Sequence, residues 1–337
     1  MTTRDIIVIG ASAGGVEALM TLVRGLPSDF PAALFVVLHV PATSESKLPH
    51  ILMHAGCLPA VHGTDGSPIR SGTITVAPPD HHLIVERGIV RITRGPQENR
   101  HRPAADVLFR SAAHAYGPRV IGIVLSGNLD DGSAGLVAIH RGGGKGIVQA
   151  PDDALFTGMP TNAIAVDPEY ILPVADIPSL LVQLVHEEVH EQEAVSDRRE
   201  ITREVRIAEF NMHDIEGDSH PGTPSPFGCP DCGGVLWEVD DGSIKRYRCR
   251  VGHAYSPATL LVTQSERLEA ALWAALRGLE EKAALSRRLA AHAQNRAHER
   301  SAAGFTAQAD EAEAQARLIQ QMLTDSRRLS IDDALEA

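Results

Sequence analysis

The sequence predicts an α/β protein. A doubly wound, mostly parallel sheet carrying a β-hairpin, in three α/β/α layers, is expected first; a small Cys/His-rich unit and a C-terminal helical hairpin follow. Three observations predict this. Short β-branched runs alternate with helical stretches from residue 5 to about 186. Three of the four cysteines, Cys229, Cys232 and Cys249, fall within 21 residues. Leucines at 268, 272, 276, 279, 285 and 289 recur at helical spacing in an Ala-, Glu- and Arg-rich stretch after Pro257.

The elements follow in order. Ile6-Ile7-Val8-Ile9 reads as a first strand, then a Gly-rich turn and a helix near Gly14–Gly25. Leu34–Leu38 and Thr73–Val76 read as further strands. His82–Glu86 and Ile89–Thr93 flank Arg87-Gly88 as a hairpin, so part of the sheet is expected to be antiparallel. Ala104–Tyr116 has helical periodicity, Val120–Leu125 and Gly146–Gln149 are strands separated by a helix near Ala134–Arg141, and Ile177–Val189 is expected as a helix. Residues 187–228 hold 11 acidic and 4 basic residues with few large apolar side chains, which reads as a linker. Ala307–Leu329 is expected as the second arm of the terminal hairpin, and Trp273 as a core residue. The domains are therefore expected at 1–186, 187–228, 229–256 and 257–337.

At 337 residues the chain is long enough for more than one domain, and 43% hydrophobic with 22% charged residues is a globular composition. The net charge is -12, of which -9 lies in residues 187–337, so no nucleic acid is expected as a partner. No stretch approaches the ~20 apolar residues of a membrane span. The expectation is a cytoplasmic protein without membrane insertion.

Gly10-Ala11-Ser12-Ala13-Gly14 lies between a strand and a helix and fits the Gly-x-Ser-x-Gly turn that exposes a nucleophilic serine. Ser12 at a helix N-terminus has backbone N–H groups and a positive dipole end nearby, suited to an oxyanion. A phosphate-cradling loop is the other reading of the same turn. His39 directly follows the second strand, and Asp131 follows Val120–Leu125 across a short loop. In an open parallel sheet the carboxyl ends of strands line one crevice, so Ser12, His39 and Asp131 could meet as nucleophile, base and orienting carboxylate. Against this stand chance, among 16 histidines, and helix capping by Asp130 or Asp131.

Six co-linear segments carry a resemblance: Ile9–Gly15, Leu38–Pro41, Val76–His82, His101–Phe109, Leu125–Gly135 and Gly158–Pro160. Together they resemble the catalytic domain of the CheB family of bacterial chemoreceptor glutamate methylesterases, over about the first 180 residues. The resemblance implies a doubly wound sheet, hydrolysis of γ-glutamyl methyl esters on chemoreceptor helices with release of methanol, and in some members deamidation of glutamine. By motif position it implies Ser12 as nucleophile, His39 as base and Asp131 as its partner, with no cofactor for catalysis and a methylated chemoreceptor or related signalling protein as partner. The chain departs from the family in having Ala13 where Thr is usual and Asn128-Leu129 where Met-Gly is usual. Ser12 comes so early that no receiver domain is expected before it. The rival reading is a non-catalytic adaptor that keeps the esterase fold.

Cys229-x-x-Cys232 and Cys249-x-x-x-His253 are separated by 16 residues, a spacing suited to one tetrahedral zinc. Four protein ligands leave no open position, so a structural zinc in a zinc-ribbon-like unit is expected. Lys245, Arg246, Arg248 and Arg250 beside it read as a surface patch offset by Asp231, Glu238, Asp240 and Asp241. The alanine-rich faces of the terminal helices suit pairing with each other or with a second copy of the chain, a homo-oligomer.

Overall fold

The computed structural model describes residues 2–189, 198–209, 222–242 and 244–325. By its contacts the chain divides into two compact units, Met1–Leu260 and Leu261–Ala337.

In the first unit, β1 is Thr2–Thr3, β2 Ile6–Ala11, α1 Gly15–Arg24, β3 Ala33–Leu38, α2 Leu48–Ala55, β4 Ala60–His62 and β5 Ile74–Val76. There follow β6 His82–Val85, β7 Val90–Thr93, α3 Ala105–Tyr116, β8 Val120–Val124, α4 Ser133–Arg141, β9 Lys145–Gln149, α5 Gly158–Ile164, β10 Tyr170–Leu172 and α6 Ile177–Leu184. Seven strands form one sheet in the order β10-β9-β8-β2-β3-β5-β4, and every pairing in it is parallel. β2 is apolar on both faces because both are covered. Ile7 and Ile9 face Leu19, Leu22 and Leu181, while Ile6 and Val8 share a second core with Leu108, Phe109 and Ile139. The chain winds from β2 through β3 to one edge and then from β8 to the other, so the winding reverses beside β2.

Three sequence expectations change here. The β6–β7 hairpin is a separate antiparallel pair and not part of the main sheet. Pro78-Pro79, without backbone donors, and Asp80 at φ 57 turn the chain away after β5. The hairpin then packs on α3, where Ser111 Oγ accepts from the Val85 N–H at 3.0 Å. The helix expected over Ile177–Val189 stops at Leu184, and Glu188–Val189 forms β11, paired with β1. Within 187–228, α7 (Arg198–Ala208) places Val205 and Ala208 against Ile84, Ala104 and Val107, and Thr223–Gly228 forms β12. Residues 190–197 and 210–221 of the expected linker lie outside the described residues.

β12 joins β13 (Val235–Asp240), β14 (Lys245–Cys249) and β15 (Ala254–Tyr255) in a four-stranded antiparallel sheet. Two of the four basic residues expected as a surface patch are not on the surface: Arg248 is 1% exposed and Arg246 is buried too, while Lys245 and Arg250 are exposed. The guanidinium groups of Arg246 and Arg248 reach the carboxylates of Glu98 before α3 and Glu204 on α7. Arg248 Nη2 lies 3.0 Å from Glu98 and Arg246 Nη2 2.9 Å from Glu204. Arg110 of α3 bridges both acids at 2.8 Å each. Alternation along β14 points both arginines the same way, inward, which composition alone does not reveal.

The second unit lies within the helices Pro257–Asn295 and Glu299–Asp325, joined by a turn at Ala297 with φ 57. Leu276 packs with Ala316 and Leu323, and Arg287 pairs with Asp310 and Glu313. Trp273 is 55% exposed and not a core residue; its Nε1–H donates to Glu269 one turn before it. Leu329, the expected end of the second helix, lies outside the described residues.

Candidate functional site

The carboxyl ends of β2, β3 and β8 meet where the winding reverses, the place where open α/β sheets bind ligands. Ala11 is in register with Leu38, and the next residues are Ser12 and His39. Backbone hydrogen bonds continue the alignment past the strands: His39 N–H to Ala11 O at 3.1 Å, Leu125 N–H to Gly10 O at 3.0 Å, and Ser12 N–H to Ser126 O at 2.9 Å. Glycine is required at two points. Gly14, which caps α1, has φ 70, and a side chain at Gly127 would run into Ser12 and Met159.

His39 and Asp131 are joined. Asp131 Oδ2 accepts from His39 Nε2 at 2.7 Å, with the two side chains 4% and 2% exposed. The same carboxylate accepts from the Ala105 and Asp106 N–H groups at the start of α3 and from Asn99 Nδ2 at 3.2 Å. Gly10 makes this possible, since a side chain there would collide with Ala105 Cβ. Burial pushes the Asp131 carboxyl up, but the hydrogen bond and charge of His39 and the neighbouring donors outweigh it and hold the group well below the usual carboxylate range. His39 Nδ1 is buried and has no hydrogen-bond partner among the described residues. With Nε2 bound to the carboxylate, Nδ1 is the ring atom left to take a proton.

Residues that sequence reasoning did not assign complete the surroundings. His101 stacks on His39, ring centroids 3.5 Å apart and 9° from parallel. Burial first, and the charge of His39 second, push the His101 imidazole down to about 3, so it is neutral near pH 7. Asp106 accepts from the Gly132 and Gly135 N–H groups and so caps α4 from another helix. Burial, then the charge of Asp131, push its carboxyl well up. Ser126 Oγ donates to Ala13 O at 2.8 Å and accepts from Phe156 N–H, fixing the loop behind Ser12. His101 and Asp106 lie in the motif His101–Phe109, which was the only signal pointing to them. Leu129 adopts φ 61 in the loop before Asp131.

The second cluster lies on the four-stranded sheet. One donor atom from each of Cys229, Cys232, Cys249 and His253 lies within 4.8 Å of the others. Three of the separations are 3.6 to 3.7 Å: Cys249 Sγ to His253 Nδ1, Cys229 Sγ to His253 Nδ1, and Cys232 Sγ to Cys249 Sγ. Zinc–sulfur bonds of ~2.3 Å at tetrahedral angles give ligand edges of ~3.8 Å, so the donor set fits that ion. Gly233 at φ 73 and Gly252 at φ 111 form the turns that bring each pair together. Sharing one site, Cys229 is held as a thiolate by its contact with Cys249, while the same contact pushes the Cys249 thiol up. A dication would hold all three sulfurs as thiolates.

The CheB methylesterase family model matches residues 7–181. The chain is 37% identical over 183 residues to protein-glutamate methylesterase/protein-glutamine glutaminase 2 of Anaeromyxobacter dehalogenans, covering 53% of each chain. It is 36% identical over 165 residues to protein-glutamate methylesterase/protein-glutamine glutaminase 3 of Geobacter sulfurreducens, covering 48% of this chain and 44% of that one. The chain thus spans about half the length of these curated relatives. The crystal structure of the Thermotoga maritima CheB methylesterase catalytic domain superposes with a TM-score of 0.52 at 31% identity, over 55% of this chain and 100% of that one. Among the described residues no helix is long and apolar enough to cross a membrane.

Proposed function

Because the chain belongs to the CheB methylesterase family, we propose that it is a serine hydrolase that cleaves glutamate methyl esters on a chemoreceptor-like signalling protein, with Ser12, His39 and Asp131 as its triad. The observation that carries the reading is the buried His39–Asp131 pair at 2.7 Å, its Nδ1 without a partner among the described residues, one register step from Ser12. Ser12 Oγ adds to the ester carbonyl as its proton passes to His39 Nδ1; Asp131 stabilises the imidazolium through Nε2. Collapse of the tetrahedral intermediate expels methoxide, which takes the proton from His39 and leaves as methanol. Water, deprotonated by the same Nδ1, then hydrolyses the acyl-enzyme to free glutamate and Ser12. An amide would follow the same path with ammonia as leaving group, which makes glutamine deamidation a second activity of the same residues. No metal takes part in these steps.

Cys229, Cys232, Cys249 and His253 hold a structural zinc in this proposal, supported by the spacing of their donor atoms. Replacing Ser12→Ala tests the hydrolase reading: methanol release from methylated receptor fragments should fall at least about 1,000-fold, with the melting temperature unchanged. Wild-type protein should also be labelled at Ser12 by a fluorophosphonate. Retained turnover in Ser12→Ala protein excludes the mechanism.

A further inference from the structure

Asn99 lies between β7 and α3, buried, with φ 48. Its side chain uses both kinds of group it has. Nδ2 donates to Asp131 Oδ1 at 3.2 Å and to Asp106 Oδ2 at 2.9 Å, and Oδ1 accepts from the Ser256 N–H at 3.0 Å. Its own N–H donates to Ala254 O at 2.8 Å, and the Ala254 N–H returns a bond to Gln97 O at 3.3 Å. Ala254 directly follows His253 of the Cys/His cluster, and Arg248, which pairs with Glu98, directly precedes Cys249. A short segment of the esterase core, Gln97–Asn99, is thus held along the edge of the Cys/His sheet.

The two ends of the Asn99 amide are chemically opposite, and this gives the contact a direction. The Ser256 N–H can donate only to the oxygen end, which turns the NH2 toward Asp131 and Asp106. Reversed, the amide would aim a carbonyl oxygen at the Asp131 carboxylate and an NH2 at the Ser256 N–H, and lose the bonds to both. The other side of the loop meets the base: His101, two residues on, stacks on His39. A second link runs from Thr259 Oγ1 to Asp130 Oδ1 at 3.0 Å. We propose that Asn99 is a positioning residue for Asp131, aimed by the backbone of Ala254 and Ser256, so that an ordered Cys/His sheet is a condition for the His39–Asp131 pair to be set for turnover. The effect on turnover rests on the hydrolase reading above; the effect on the pair does not.

The test uses the full-length protein. Replacing Asn99→Ala should lower kcat about 10- to 100-fold, as removal of a partner that orients a functional group does, with KM within about twofold. The low-field N–H resonance of His39, produced by its bond to a carboxylate, should shift or broaden. Replacing Cys232→Ser, or removing metal with a chelator, should alter the same resonance and lower kcat without touching any residue of the triad, and zinc added back to wild-type protein should restore both. An unchanged resonance and kcat in folded Asn99→Ala protein overturns the proposal. If that variant does not fold, an unchanged resonance in Cys232→Ser protein overturns it. Wild-type protein that is neither labelled at Ser12 nor releases methanol refutes the hydrolase reading instead, and the resonance still decides the clamp.

Discussion

The parallel sheet and the Cys/His sheet are held together by different physics. β2 and β3 are buried along their whole length among aliphatic and aromatic side chains, so their position follows from area removed from water. The Cys/His sheet has a small core of Leu236, Leu260, Tyr255 and two cysteines. A unit of that size buries too little hydrocarbon to stand alone and relies on directional bonds. It is seated on the first region by Arg246 and Arg248 against Glu98 and Glu204. Burial raises the carboxyls of both acids, but the facing guanidinium groups outweigh it and hold them low. Hydrocarbon packing tolerates small changes of shape; a buried charge deprived of its partner does not.

Metal removal is the largest way to separate the two regions. Zinc ligation stabilises comparable peptides by about 10–16 kcal/mol, so a chelator should strip hydrogen-exchange protection from 223–255 while the amides of β2, β3 and β8 stay protected. Equal loss in both would mean one cooperative structure. Next, Arg110→Ala leaves Glu98 and Glu204 facing each other with one cation fewer, and urea unfolding should show a loss of about 3–5 kcal/mol. Ile9→Ala in the sheet should cost about 2–5 kcal/mol, without the sensitivity to pH that unpaired carboxylates bring.

Smaller again is the pH dependence that His101 imposes. Its folded value, about 3, lies below the ordinary 6.5, so between those values the unfolded chain binds a proton that the folded one refuses. Its contribution is complete above about pH 6.5 and is lost as pH falls toward about 3. The melting temperature of wild-type protein should therefore drop more between pH 7 and pH 4.5 than that of His101→Phe protein, and parallel curves would refute the burial of a neutral ring. The smallest effect concerns Leu129. A non-glycine residue in the left-handed region costs about 1 kcal/mol, part of which glycine gives back in the unfolded chain. Leu129→Gly should raise stability by about 0.5 kcal/mol or less, read from the urea midpoint.

The strands and the two clusters were legible because they depend on local periods and spacings. Ile6–Ile9 announces a strand, Ser12 and His39 follow strand ends and Asp131 the loop after β8, and two close Cys/His pairs announce a cluster that could hold a metal. Asn99 was not legible, since an asparagine in a loop has no period and its partners lie 32 residues away at Asp131 and 157 away at Ser256. Arg246 and Arg248 were misjudged for a related reason: a charged residue reads as exposed until the carboxylate that faces it is known. The acidic stretch after 187 hid α7 because its buried residues, Glu204, Val205, Ile207 and Ala208, are few in a run of charged ones. The hairpin was recognised but its sheet was not, because a turn sequence fixes a pair of strands and says nothing of what they join.

The arginine–glutamate cluster also crosses the boundary of the family match. The family match ends at residue 181, yet Arg110, inside it, reaches Glu204 outside it, and the compact unit runs on to Leu260. The dependence is lopsided. Were residues 7–181 grafted elsewhere, Glu98 and Arg110 would travel together and neutralise one another. Were the Cys/His sheet grafted alone, Arg246 and Arg248 would leave both glutamates behind, and Asp241, which pairs with Arg246, would go with them. For the pairing of its buried charges, the Cys/His sheet therefore depends on the parallel-sheet region more than that region depends on it.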